Sequence, residues 1–181
     1  MKIIKISIMI LVLCFGMGTT GWCITIVGGT YDDTDVGGLD SLLASTNSLD
    51  DSGEQTETDW VNDVLAAEGV SATYYVKDED VLYYDTDTTN VFAFSMEPTP
   101  PESEYFIVKN SIYWALFANN VDMAWGVFST DILPSGMKIP DSDDPYEISH
   151  VTRFDSVPDA SLFYLLSPAL IVLGVLGRRK K

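Results

Sequence analysis

The sequence predicts a mainly β fold, an antiparallel β-sandwich or barrel with one short helix, set between an apolar segment at each end. Three observations lead there. From residue 70 onward, short runs of β-branched and aromatic residues alternate with Asp, Asn, Gly and Pro clusters. Before them, one stretch carries apolar residues at helical spacing. The two cysteines, Cys14 and Cys23, both lie near the N-terminus, so the rest of the chain must hold together by a packed core.

The elements follow in order. Lys2 and Lys5 precede an apolar run over 6–18, and Thr19, Thr20 and Gly21 come next. That is the order of a secretory signal peptide, read here as 1–23. Cleavage after Cys23 puts Gly21 and Cys23 at the two small-residue positions, and cleavage after Gly21 is the alternative. Bulky Trp22 argues against a lipid anchor on Cys23. Residues 28–58, rich in Gly, Asp, Ser and Thr, read as mostly irregular surface with one short helical hint at 39–43. Thr56 or Thr58 is expected to cap a helix whose stripe is Trp60, Val61, Val64 and Leu65, with Gly69 as its stop.

Strand runs then fall at 72–76, 81–84, 91–94, 105–109, 113–117, 123–128 and 147–154. Asn119-Asn120 reads as a hairpin turn between two of them. In the last run, Ile148, His150 and Thr152 are expected on one face, with Ser149, Val151 and Arg153 on the other. Beyond it, 162–177 contains no charged residue and is followed by Arg178, Arg179, Lys180 and Lys181. As a helix it reaches about 24 Å against a hydrocarbon core of about 30 Å, a gap that snorkelling cations and local thinning close. Pro168 is expected to kink it. Four terminal cations favour the cytoplasmic side and leave the preceding domain outside.

The last 25 residues resemble a PEP-CTERM sorting signal: Val157, Pro158, Asp159, Ala160 and Ser161, then the apolar span, then the basic tail. The motif is a variant, with Asp159-Ala160 where the usual form has Glu-Pro. The resemblance implies three segments: a signal peptide (1–23), an exported acidic β-rich domain (24–156) and a sorting signal (157–181, with the transmembrane helix at 162–177). It implies export by a Gram-negative bacterium and processing by an exosortase-like protease. It further implies that the domain is anchored transiently in the inner membrane, facing out, before it reaches the cell surface or matrix. The strings 105–109, 116–119, 124–128 and 148–150, with Leu42-Leu43-Ala44-Ser45 and Trp60-Val61, are similar to β-rich ectodomains of short PEP-CTERM proteins. That second resemblance implies no particular activity.

Six of the ten cations lie in the terminal segments, leaving Lys77, Lys109, Lys138 and Arg153 against 26 of the 27 acids. The exported domain therefore carries −22. A field of that sign repels nucleic acid and anionic membrane surfaces and suits solubility, divalent cations, or neutral and basic partners such as extracellular polysaccharide.

Candidate chemistry is sparse. His150 is the sole histidine, so Ser-His-Asp machinery must pass through it, and a strand-end or surface role is the plainer expectation. No zinc set remains once the leader is removed. Asp32, Asp33 and Asp35, then Asp85 and Asp87, then Asp141, Asp143 and Asp144 offer oxygen donors at alternating spacing on loops, the pattern of a weak calcium site, although none is an EF-hand. No catalytic residue is assigned. The expected function is a non-catalytic surface or matrix protein, with a carbohydrate- or calcium-binding module as the alternative and a hydrolase as a remote third.

Overall fold

Alternation within each strand run separates side chains onto two faces, and two sheets use it to build three distinct apolar contacts. A computed structural model describes residues 23–97, 104–119, 124–139 and 147–157. The leader up to residue 22, Asn120, Asp141, Asp143, Asp144 and everything after Val157 lie outside the described residues. The strands are β1 (Ser41–Thr46), β2 (Ser71–Asp78), β3 (Tyr83–Asp85), β4 (Val91–Ser95), β5 (Tyr105–Lys109), β6 (Trp114–Ala118), β7 (Trp125–Ser129) and β8 (His150–Val157). One α-helix, α1 (Glu54–Leu65), is found among the described residues. The five-stranded sheet runs β1-β6-β5-β8-β2 and the three-stranded sheet β3-β4-β7, each with antiparallel neighbours. The chain is thus mainly β.

The inner faces of the two sheets share one core. Phe106, Val108, Ala115, Phe117 and Val151 from the larger sheet meet Phe94, Met96 and Phe128 from the smaller side. Phe106 and Phe117 stack at 5.1 Å between ring centres, and Phe94 meets Phe106 edge-on at 5.2 Å. Each fully buried phenylalanine is worth about 1.5–3 kcal/mol of burial, and such ring pairs add about 0.5–1.5 kcal/mol. Gly126 on β7 leaves the room that the Phe94 ring occupies.

The outer face of the larger sheet carries α1. Three cross-strand rows run over that face: Ala118-Tyr105-Phe154-Tyr74, Leu116-Ile107-Thr152-Lys77, and Trp114-Lys109-His150. A bulge at Tyr75 puts Lys77, rather than Val76, beside Thr152. The outer face of the smaller sheet is covered by the N-terminal segment, where Ile24, Ile26 and Val36 pack on Val91, Ala93, Trp125 and Val127. Tyr31 closes this lid edge-on against Tyr84 and Trp125.

The seven expected strand runs all form, and Gly69 ends the helical segment in the left-handed conformation at φ 71°. Four expectations need correction. The 28–58 stretch is not mostly irregular surface: Val36 is fully buried, and 41–46 forms edge strand β1 in place of the helical hint at 39–43. Leu42 and Leu43 go to opposite faces, the period of a strand. Thr56 and Thr58 do not cap α1. The Thr58 hydroxyl donates to the Glu54 carbonyl within the helix, and Gly53 precedes it with its amide on Asp51 Oδ1 at 2.7 Å. Asn119 does not turn a hairpin, because β6 and β7 lie in different sheets, and its amide instead extends the β5–β6 pairing to the Glu104 carbonyl. The tight turn joining β5 to β6 is organised by Asn110, whose Oδ1 accepts the amides of Ile112 and Tyr113. Ile148 packs with Val151 in the inner core, since it precedes β8 and escapes that strand's alternation.

Candidate functional site

Every fourth residue of α1 from Glu57 faces the larger sheet: Glu57, Val61 and Leu65 are all buried. Val61 and Leu65 sit in the apolar cluster with Ile107, Leu116 and Phe154. Glu57 meets the polar end of the rows instead. Its carboxylate is 0 % exposed. Oε2 accepts from Thr152 Oγ1 at 2.8 Å, and Oε1 accepts from Trp114 Nε1 at 3.1 Å. His150 Nε2 lies 3.4 Å from Oε1, and Lys77 Nζ 3.7 Å from Oε2. Lys77 also donates to the Ser52 carbonyl ahead of the helix. Lys109 Nζ sits 4.7 Å above the Trp114 ring and donates to the Asn110 carbonyl at 2.7 Å.

The charges follow from these contacts. Burial pushes the Glu57 carboxyl up, but hydrogen bonds from His150 and Thr152 and the charge of Lys77 outweigh it, so the net shift is downward and Glu57 is ionised. Burial pulls the Lys109 ammonium down, with Glu57 acting the other way. Arg153 is buried on the opposite face, donating to the Met96 carbonyl and pairing with Asp78 at 2.8 Å, so it ties β8 to the end of β4.

Ser149 Oγ lies 3.2 Å from His150 Nδ1, completing a serine–imidazole–carboxylate line with Glu57. The line is poorly set for nucleophilic chemistry. Ser149 has one hydroxyl proton and two acceptors, because the Lys109 carbonyl is also 3.2 Å away. Its backbone amide, which could otherwise face an oxyanion, is spent on that same carbonyl at 2.7 Å. The carboxylate itself is enclosed by protein donors. The arrangement clamps the first turns of α1 onto strands β2, β6 and β8. His150 is a strand-end residue as expected, but it is buried rather than on the surface.

The sequence missed Glu57, although it stands four residues before Val61 and therefore on the same stripe. A glutamate in that position reads as solvated unless its partners are known, and those partners come from residues 77 to 152.

The candidate calcium loops separate into two groups. Asp35 and Asp87 flank the same segment: Asp35 bridges to Thr25, and Asp87 Oδ1 accepts the Thr25 amide at 3.3 Å. Their carboxylates serve local turns. Asp32 takes the Gly28 amide, while Asp35 takes the Gly37 amide at 2.8 Å. The Cys23 thiol and that amide together hold the Asp35 carboxyl below its usual range. Asp33 occupies a left-handed turn position at φ 61°, and Asp85 ends β3. Among the described residues, no three His, Cys, Asp or Glu side chains converge as metal ligands do. Of the sorting motif, Val157 ends β8 opposite Ser71; Pro158, Asp159, Ala160, Ser161, the apolar span and Arg178–Lys181 lie outside the described residues. Among the described residues no helix is long and apolar enough to cross a membrane.

Comparison with protein-family models, curated proteins and solved structures gave no match.

Proposed function

We propose that the chain is an exported cell-surface or extracellular-matrix protein of a Gram-negative bacterium. In this reading an exosortase-like system sorts it, and its exported part is a non-catalytic two-sheet sandwich. The observation that carries the reading is the order of the final segment: Val157–Ser161, the uncharged 162–177, and four terminal cations. The packing is compatible with cuts at both ends. Ile24 is already part of the lid, with its amide on the Gly37 carbonyl at 2.8 Å, so cleavage after Cys23 leaves the lid whole. At the other end, the first residue of the motif, Val157, is the last residue of β8.

Charge use supports an extracellular, solvated role. Lys77, Lys109 and Arg153 are engaged inside the fold with Glu57, Trp114 and Asp78. Little positive charge is left to offset the acidic surface, which keeps a crowded surface layer soluble. The enclosed Glu57 favours a structural over a catalytic reading of the polar cluster.

Mass spectrometry of the chain recovered from its native cell tests the proposal. The expected mature form begins at Ile24 and lacks 162–181. A mature chain that keeps 162–181 would sink the processing step and leave a single-pass membrane protein.

A further inference from the structure

Two cavities flank the turn between β2 and β3. One, of about 320 Å³, is lined by Glu79, Asp80, Tyr83, Ile148, Ser149 and His150. The other, of about 490 Å³, shares the 79–82 wall and adds Asp78, Tyr84, Ser95, Glu97 and Lys77, whose ammonium is engaged with Glu57 and the Ser52 carbonyl. Both fall within the usual range of ligand cavities, about 300–1,000 Å³. The dividing ridge ends in Leu82, which is 71 % exposed.

Chemistry on these walls is specific in kind. Glu79 and Asp80 offer two carboxylates to both cavities. Ser149 brings a hydroxyl to the first, positioned by the His150 imidazole, which Glu57 holds from behind. Tyr83 lines the same cavity, and its hydroxyl is buried without a hydrogen-bond partner among the described residues. A buried orphan hydroxyl costs about 1–3 kcal/mol unless something supplies a partner. Tyr84 gives the second cavity an aromatic surface.

We propose that this pair of cavities binds an amino-sugar stretch of a polysaccharide. The protonated amine lies against Glu79 and Asp80, ring hydroxyls reach Ser149 and Tyr83, and a neighbouring ring lies on Tyr84. A lone ammonium needs only the carboxylates. The hydroxyl partners and the aromatic wall on either side of one acidic ridge select a hydroxylated, ring-built ligand carrying positive charge. The assignment deepens the surface and matrix reading by naming a ligand class. It is measured on the chain whether or not its tail is processed, so either claim can fail alone.

Titration calorimetry of the full chain in detergent is the test, at a mildly acidic pH of about 5.5, where the sugar amine is protonated and the wall carboxylates are still ionised. The probes are a β-1,4-linked glucosamine tetramer, its fully N-acetylated counterpart, and tetralysine. The glucosamine tetramer should bind saturably, and both other probes should bind about tenfold more weakly or not at all. Glu79→Gln with Asp80→Asn should weaken binding about tenfold. Asp63→Asn with Glu68→Gln removes the same charge from exposed sites outside both cavities and should leave binding nearly unchanged. Ser149→Ala should weaken binding severalfold while lowering the melting temperature only slightly, through its lost bonds to His150 and the Lys109 carbonyl. The proposal is overturned by an absence of saturable binding, by equal binding of the acetylated tetramer or tetralysine, or by equal losses in the two charge-neutralised pairs.

Discussion

The hydroxyl of Thr152 on β8 donates a 2.8 Å hydrogen bond to the carboxylate of Glu57 on α1, across 95 residues of chain. It is the shortest contact of a fully enclosed carboxylate, and it fixes where the helix lies on the sheet. Replacing Glu57 with Ala leaves Lys77 and the Thr152 and Trp114 donors facing a void. We expect a loss of about 3–5 kcal/mol in denaturant unfolding, as for other buried charges stripped of a partner. Thr152→Val removes one bond to a charged group and should cost about 1.5–3 kcal/mol. The double variant should lose less than the sum, since both changes break the same bond. Full additivity would show that the two residues act separately.

Acid exposes the same contact. The Glu57 carboxyl is held below its ordinary 4.5 in the fold, so the unfolded chain takes up the proton first. Its stabilising contribution is complete above that value and drains away as pH falls through the lower, folded one. Wild type should therefore exceed Glu57→Gln in stability at neutral pH, with the gap closing below about pH 4.5. Urea melts of both proteins across that range measure it. A gap that stays constant would mean that the fold leaves the Glu57 carboxyl unshifted, and a gap that moves in favour of wild type on acidification would mean that the carboxyl is protonated in the fold.

Gly126 makes a prediction about the inner core. A methyl group there would overlap the Phe94 ring, and that ring is pinned by Phe106 and Phe128. Gly126→Ala should cost about 1–3 kcal/mol or more by overpacking. Phe94→Leu, destabilising by itself, should restore part of the loss when combined with it. Thermal melts of the three variants test the coupling.

Much of this arrangement was legible in the sequence, and the boundary of legibility has physical causes. Strands β2 to β8 could be read because short β-branched and aromatic runs such as Tyr105–Lys109 are bounded by turn residues. Strand β1 was hidden because Leu42 and Leu43 are adjacent, and a window so short fits either period. The lid was hidden because Ile24, Ile26 and Val36 are spread among glycines and aspartates, and they pack on another sheet rather than on one another. Glu57 was hidden for a related reason. A helix stripe is recognised by apolar residues, and this one begins with a charge whose partners are long-range. The alternation of β8 placed His150 and Thr152 on one face correctly, and only the helix above them reveals that the face is buried.

Tyr83 joins the core to the proposed ligand site, and its hydroxyl separates the two roles. The ring packs edge-on against Phe94 and Phe128, at 6.0 and 6.1 Å between ring centres. Its hydroxyl has no partner among the described residues, so Tyr83→Phe keeps the packing and removes an unsatisfied polar group. The unliganded protein should become more stable, by about 1 kcal/mol, where most core substitutions destabilise. Burial also pushes the Tyr83 phenol far above its ordinary 10.0, so the native state keeps a proton that the unfolded chain gives up. Wild type should lose stability as pH rises past about 10, and the phenylalanine variant should lose less, with Tyr74 and Tyr105 supplying the remaining slope. The same variant should bind the glucosamine tetramer more weakly. Greater stability with weaker binding is the signature of a hydroxyl kept for a ligand. Lower stability at neutral pH would mean that the hydroxyl is satisfied within the fold.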